Sequence, residues 1–154
     1  MIRDQIEAKQ IGQDLLDRTG EGLMTGNWDT FIACFGFPHR IDTFEGTQIL
    51  QSADDMRPRF DAVRATHKAD HVTDLIRHTV AVDWVDDKTI HHTHQSRPLS
   101  GSTLVLAPYT VFSIFEKQAG RWLITSSQYA ICNADDLNAA LHAPFAKNKE
   151  HVND

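Results

Sequence analysis

Residues 72–131 run VTDLIRHTVAVDWV, then a DDK break, then TIHHTHQSRPL, SGSTLVLAPYTVFSIFEKQAG and RWLITSSQYAI. β-Branched and aromatic residues alternate with polar ones, and turn-forming clusters interrupt them. This pattern predicts four long strands in succession. Working outward, the preceding half reads as helices. Strands grouped after helices predict a segregated α+β fold rather than an alternating one. Several strand positions carry polar groups where a plain sheet would place Val or Ile: His78, His91, Gln95, Thr110 and Gln128. A sheet that curls around a polar-lined cavity accounts for both observations.

The turns predict how these strands pair. Asp86-Asp87 suits a tight hairpin, Ser100-Gly101 the next and Gln118-Ala119-Gly120 the last. With those registers, one face collects Ile76, His78, Val80, Val82, Trp84, His91, Thr93, Gln95, Leu104, Leu106, Thr110, Phe112, Ile114, Trp122, Ile124, Ser126 and Gln128. The other collects Arg77, Thr79, His92, His94, Tyr109, Val111, Ser113, Thr125, Ser127 and Tyr129. The first set is the more apolar, so it is expected to face the helices. The second is amphipathic and suits solvent or a second sheet in a dimer. A one-residue slip in any turn would exchange the sets from that strand onward. Pro108 marks a bulge or an edge.

In the first half, Ile2, Ile6, Ile11, Leu15, Leu16 and Leu23 share a helical face, which predicts a helix over 2–25 weakened by Gly20 and Gly22. Gly26 ends it, and Asn27 caps a short second helix carrying Trp28, Phe31, Ile32 and Phe35 until Pro38 stops it. Residues 39–51 read as a small hairpin turning near Glu45-Gly46. Ser52 with Asp55 resembles a capping box for a third helix to about residue 67, with Pro58 near its start. Asn133 with Asp136 opens a short last helix, and the stretch from Pro144 reads as a polar tail. The expected organisation is one domain over 1–143 and a tail over 144–154, without repeats or linkers.

The chain has 154 residues, enough for a single core without staples, and a net charge of −6. That balance argues against a general nucleic-acid binder, which needs a basic face. Nine histidines could offset the charge as pH falls toward their ordinary pKa. Cys34 and Cys132 match no metal or redox spacing and read as reduced, buried thiols of a cytoplasmic protein. There is no apolar leader, and no stretch is long enough to span a membrane. His92 and His94 alternate onto one face as metal ligands can, but no third ligand joins them, so stacking across an interface is the better reading.

The order helix, Trp28-Asp29 helix, hairpin, helix and long strands, closing on Phe112-Ser113-Ile114-Phe115…Gly120-Arg121-Trp122, resembles the nuclear transport factor 2-like superfamily. The resemblance covers nearly the whole chain. Phe37-Pro38-His39-Arg40-Ile41 and Leu106-Ala107-Pro108-Tyr109 are similar to a bacterial branch without an assigned reaction. It implies a cone-shaped α+β barrel of the cystatin-like kind, a curved antiparallel or mixed sheet wrapped around N-terminal helices. It also implies a small-molecule pocket between the inner face and the helices, and a homodimer through the outer face. Combined with the face assignment, it puts His39, Trp84, His91, Gln95, Thr110, Phe112 and Gln128 at the ligand and Tyr109, Tyr129, His92 and His94 at the dimer contact.

The superfamily's chemistry transfers in part. Asp42 lies close to the carboxylate base of a ketosteroid isomerase, but the first helix has no Tyr and Phe112 falls where a strand acid should be, so an enolate would lack its donors. No Asp–Arg–Asp relay of an epoxide hydrolase is present on the inner face. Asp29 and His78 fall roughly where scytalone dehydratase-like enzymes keep an Asp–His pair for proton transfer, again without the polarising Tyr. Three classes follow. A binding protein for a small, largely apolar molecule stands first. A lyase or isomerase using Asp29, His78 and Asp42 stands second, and an interaction module third. No metal or cofactor is expected, and neither nucleic acid nor a membrane is an expected partner.

Overall fold

The amphipathic opening forms helix α1 (Gln5–Thr25) in a computed structural model that describes residues 4–132 and 134–143. Asp4 caps it by accepting from the Ile6 amide at 2.8 Å. Gly26 ends it at φ 80°, a left-handed conformation that glycine adopts without strain. Asn27 accepts from the Thr30 amide at 3.1 Å and starts α2 (Trp28–Ile32). Pro38 does not stop this helix, because α2 has already ended. Phe35 and Pro38 both belong to β1 (Phe35–Thr43), which gains a hydrogen-bonded parallel partner in β7 (Arg121–Ala130). Pro38 falls where that ladder is interrupted between Phe35 and Arg40, so its missing N–H costs no sheet bond there.

β1 turns through Phe44-Glu45 into β2 (Gly46–Leu50), the expected hairpin. Helix α3 (Ala53–Ala69) follows Ser52, but the capping box does not close. The Ser52 side chain makes no cap bond, and Asp55 instead accepts from the Gln51 amide at 2.8 Å. Helix α4 (Asp135–Leu141) follows Ala134. Asn133, expected to cap it, and the 144–154 tail lie outside the described residues. Cys34 is buried as expected, whereas Cys132 is exposed beyond the last strand.

The remaining strands are β3 (Asp74–Asp86), β4 (Thr89–Ser100), the short β5 (Thr103–Leu104) and β6 (Tyr109–Gln118). The sheet order is β2-β1-β7-β6-β4-β3, with β5 beside β4. All pairs are antiparallel except β1–β7, so the sheet is mixed, and β2 and β3 remain as edges. The barrel therefore does not close. Ala119 and Gly120 carry φ of 51° and 79° between paired Gln118 and Arg121, the pair of left-handed residues that a two-residue hairpin requires. Pro108 lies in the break between β5 and β6.

Pairing follows the turn-derived registers over the middle of the sheet: His78 opposes Gln95, Gln95 opposes Thr110, and Phe112 opposes Gln128. The choice of inner face is the opposite of the expected one. Arg77 and Thr79, His92 and His94, Tyr109, Val111 and Ser113, and Ser127 and Tyr129 turn toward the helices and are buried or half-buried. His78, Val80, Thr110 and Gln128 are exposed on the convex side, with His91, Thr93, Gln95 and Phe112 half-exposed among them. Tyr109, Tyr129, His92 and His94 thus lie on the cavity side and cannot form the expected dimer contact.

Two bulges explain the inversion. The β3–β4 register shifts between Thr79 and Ala81, and the β6–β7 register shifts between Ile114 and Phe115. Beyond them the strand phase reverses, so Val82, Trp84, Trp122 and Ile124 reach the core although they alternate in sequence with outward neighbours. Those four large apolar residues face the helices as expected, and grouping them with His78, Gln95, Thr110 and Gln128, which do not, decided the assignment.

Three apolar clusters fill the cone. Ala8, Leu15, Cys34, Ile90, Phe115 and Ile124 pack with Trp84 and Trp122 at one end. Phe31, Ile41, Leu50, Met56 and Phe60 join β1 and β2 to α2 and α3. Val63, Tyr109, Val111, Ile131, Leu137, Ala140 and Leu141 hold α4 over the other end. Helix α1 is notched where polar side chains rise from the sheet. A Cβ on Gly12 would lie 2.5 Å from the His92 ring, and one on Gly20 would lie 3.2 Å from an Arg77 nitrogen. The glycines that weaken α1 as a helix let it approach these two residues.

Candidate ligand cavity

Between the three clusters lies a cavity of about 80 Å³. Its wall is mostly apolar, with Leu16, Leu23, Phe31, Phe60, Val63, Val111 and Leu137 among the lining side chains. The polar lining consists of Arg59, Arg77, His39, His67, His94, Tyr109, Tyr129, Thr19 and the serines Ser96, Ser113 and Ser127. Among the described residues none of the lining side chains is a carboxylate. In a chain of net charge −6, the cavity carries two guanidinium groups and no acid.

The two arginines are held differently. Arg59, 2% exposed on α3, donates to the backbone oxygens of Leu141 and Asp55 and to the Gln48 side chain, tying α4 and β2 to α3. Arg77 rises from β3, and its Nη2 donates to the Leu16 carbonyl and the Thr19 hydroxyl on α1. Burial pulls the Arg77 pKa below its ordinary value, an effect opposed by the nearby Tyr109, Tyr129 and Asp17.

Burial sets the charge state of the neighbouring imidazoles, and Arg77 adds to it. Burial and then Arg77 lower the His94 pKa to about 2, with His92 and His78 adding to the effect. The same two causes lower His92 to about 4 and lower His67 as well. Burial lowers His39 to about 4, opposed by its hydrogen bond to the Ile124 oxygen. A carbonyl oxygen only accepts, so His39 Nδ1 carries the proton, at 3.0 Å, and Nε2 keeps its lone pair. Burial pushes Tyr109 up to about 12 and raises Tyr129. At neutral pH the cavity therefore holds neutral imidazoles, neutral phenols and cationic arginines.

The residues expected to do chemistry are dispersed. Asp29 is exposed in the first turn of α2, where a carboxylate favours the helix dipole. His78 is exposed on the convex face. Asp42 lies on the β1–β2 hairpin, accepting from Arg40 at 2.8 Å and from the Thr47 hydroxyl. Burial acts to raise its pKa, but these two hydrogen bonds prevail and hold it below the usual carboxylate range. His39 lies in the cavity wall. Trp84 packs edge-to-face on Trp122 at 5.7 Å in the apolar end, outside the lining. His91 packs on Phe112 at 5.2 Å on the convex side, the side that also carries Gln95, Thr110 and Gln128. Sequence reasoning missed Arg77, His94, Tyr109, Tyr129 and His67 as cavity residues. The signal available was the unusual sum of a cation, an imidazole and two phenols on one face of the sheet.

Among the described residues no group of His, Cys, Asp and Glu side chains is arranged to hold a metal ion. No helix among them is long and apolar enough to cross a membrane.

A curved, unclosed sheet cupping helices around an internal cavity defines an α+β cone. The chain has the nuclear transport factor 2-like fold, whose solved examples include proteins described as cystatin-like. One such protein of unknown function, from Nostoc punctiforme, superposes with a TM-score of 0.67 at 13% identity, covering 87% of this chain and 97% of its own. A nuclear transport factor 2-like protein of unknown function from Shewanella baltica gives 0.60 at 13% identity, covering 83% and 96%. The hexachlorocyclohexane dehydrochlorinase LinA-type3 of Novosphingobium barchaimii gives 0.59 at 12% identity, covering 80% and 86%. These likenesses establish the fold. No protein-family model and no curated protein matches the chain.

Proposed function

We propose that this protein binds a small organic molecule inside the cone and does not transform it by Asp–His proton transfer. The observation that carries the reading is the composition of the cavity wall: apolar surface, a few convergent polar groups and, among the described residues, no carboxylate. An acid–base site at neutral pH works best with groups that titrate near pH 7. Here His39 and His94 are moved down to about 4 and about 2, and Tyr109 is moved up to about 12. A wall so tuned supports recognition of a ligand more than proton exchange with it.

One observation favours the lyase or isomerase reading. The His39 tautomer is fixed, and its ring lines the cavity. The acidic partner that such a mechanism needs has no counterpart in the wall, and the likeness to a dehydrochlorinase at 12% identity concerns fold alone.

Thermal-shift measurements with a panel of small neutral and ionic organic compounds test the binding reading. The wild type is expected to gain melting temperature with part of the panel. Ser113→Leu, which fills cavity space from β6, is expected to lose that gain. No stabilisation by any compound, or equal stabilisation of both proteins, would refute it.

A further inference from the structure

The cavity wall carries one cation whose hydrogen-bonding capacity is only partly used. Arg77 commits Nη2 to Leu16 and Thr19 on α1. Nε and Nη1 have no hydrogen-bond partner among the described residues, and no carboxylate among them forms an ion pair with this side chain. Asp17 attracts it from α1, where Asp17 and Glu21 flank a shallow surface groove on the other side of Arg77. Gly20 supplies the room, since a side chain there would press on the guanidinium.

A part-buried charge is costly to hold without a counter-ion, and because both bidentate edges of the guanidinium include Nη2, Nε and Nη1 are each left to donate a single hydrogen bond to one oxygen of an anion. Among the described residues the cavity wall supplies no such counter-ion. The Tyr109 hydroxyl, paired with Ser96, and the Tyr129 hydroxyl lie in the same wall and remain protonated donors. Apolar surface from Leu23, Val63, Val111 and Leu137 covers the rest of the wall, which suits an alkyl tail.

Size narrows the class further. The cavity, at about 80 Å³, is roughly half the ~150 Å³ of an apolar protein cavity that admits benzene. We propose that the cone is a site for carboxylates of two or three carbons, with one carboxylate oxygen accepting from a free Arg77 donor and the alkyl group among Val63, Val111 and Leu137. The proposal rests on the reading of the cone as a binding cavity. It adds the charge and the size of the ligand.

Scanning fluorimetry on the whole chain tests it, with acetate and propionate as probes. Acetamide and propionamide serve as neutral isosteres, 1-butanol as a neutral apolar probe, and inorganic phosphate and chloride as other anions. At about tenfold above Kd, a carboxylate is expected to raise Tm by roughly 3–6 °C. The amides are expected to give no comparable shift. Arg77→Met is expected to keep or raise the ligand-free Tm, because it removes an unpaired charge, and to lose the carboxylate response. Should that variant fail to fold, Nε–H NMR of the wild-type arginines replaces it, with one Nε–H resonance shifting saturably on addition of propionate.

Equal shifts with amides, an undiminished response in Arg77→Met, or no saturable arginine resonance overturns the carboxylate assignment. A response to phosphate or chloride alone does so as well. If only 1-butanol or the amides stabilise the wild type, the carboxylate proposal falls and the cavity reading stands. If no probe acts, both fall.

Discussion

His91 and His92 are neighbours in the chain and opposites in environment. His91 rests half-exposed on Phe112 on the convex face. His92 is 1% exposed, packed on Phe115 and bonded to the Thr79 hydroxyl at 2.9 Å. The same contrast separates exposed His78 from His94, at 4% exposure. A one-residue step along a strand changes an imidazole from a solvated group into one that burial keeps neutral. Which face turns inward therefore decides the chemistry of this protein more than which residue types it contains.

Acid is expected to break the contrast most strongly. The folded-state pKa values of His39 and His92, about 4, and of His94, about 2, lie below the ordinary 6.5. Below pH 6.5 the unfolded chain binds more protons than the folded one, so stability falls as pH drops. Their contribution is fully present above about pH 6.5, and the loss approaches ~1.4 kcal/mol per pH unit for each of the three. Melting temperature between pH 7 and pH 4 measures this. A flat profile would show that these rings are not kept neutral.

A smaller effect is expected at the notch beneath His92. Gly12→Ala places a Cβ 2.5 Å from that ring and should cost ~1–3 kcal/mol in a denaturant titration. Adding His92→Ala should return part of the loss, and strict additivity would mean that the contact is not the cause. On the convex side, His78→Ala is expected to stay within ~0.5 kcal/mol of wild type. A loss as large as that of Gly12→Ala would erase the distinction between the faces.

The contrast also shows what could be read from the residues. Helix ends were legible in Gly26 and Asn27, and strand pairing in Ala119-Gly120, because these positions carry local conformational demands. The α+β order followed from the grouping of helices before strands. The inner face was not legible, since it depends on two bulges. Nothing in Val80 or Thr125 announces an extra residue. Once the phase reversed unseen, Trp84 and Trp122 lent their weight to the wrong side, and Arg77 and Tyr109 were assigned away from the cavity they line. Asp29 and Asp42 were chosen by resemblance to enzymes of the same fold, and each has a sufficient local partner or role instead.

The notches in α1 have a consequence for the order of assembly. Glycine costs a helix ~1 kcal/mol relative to Ala, and Gly12, Gly20 and Gly22 all lie within this one. Such a segment is a poor autonomous helix, so its structure should be acquired on docking, after the sheet, and β3 above all, has offered it a surface. Conservative substitutions on its buried face, at Leu15 or Leu16, should then speed unfolding and leave the refolding rate nearly unchanged. The last element to arrive would be the one that seals the cone.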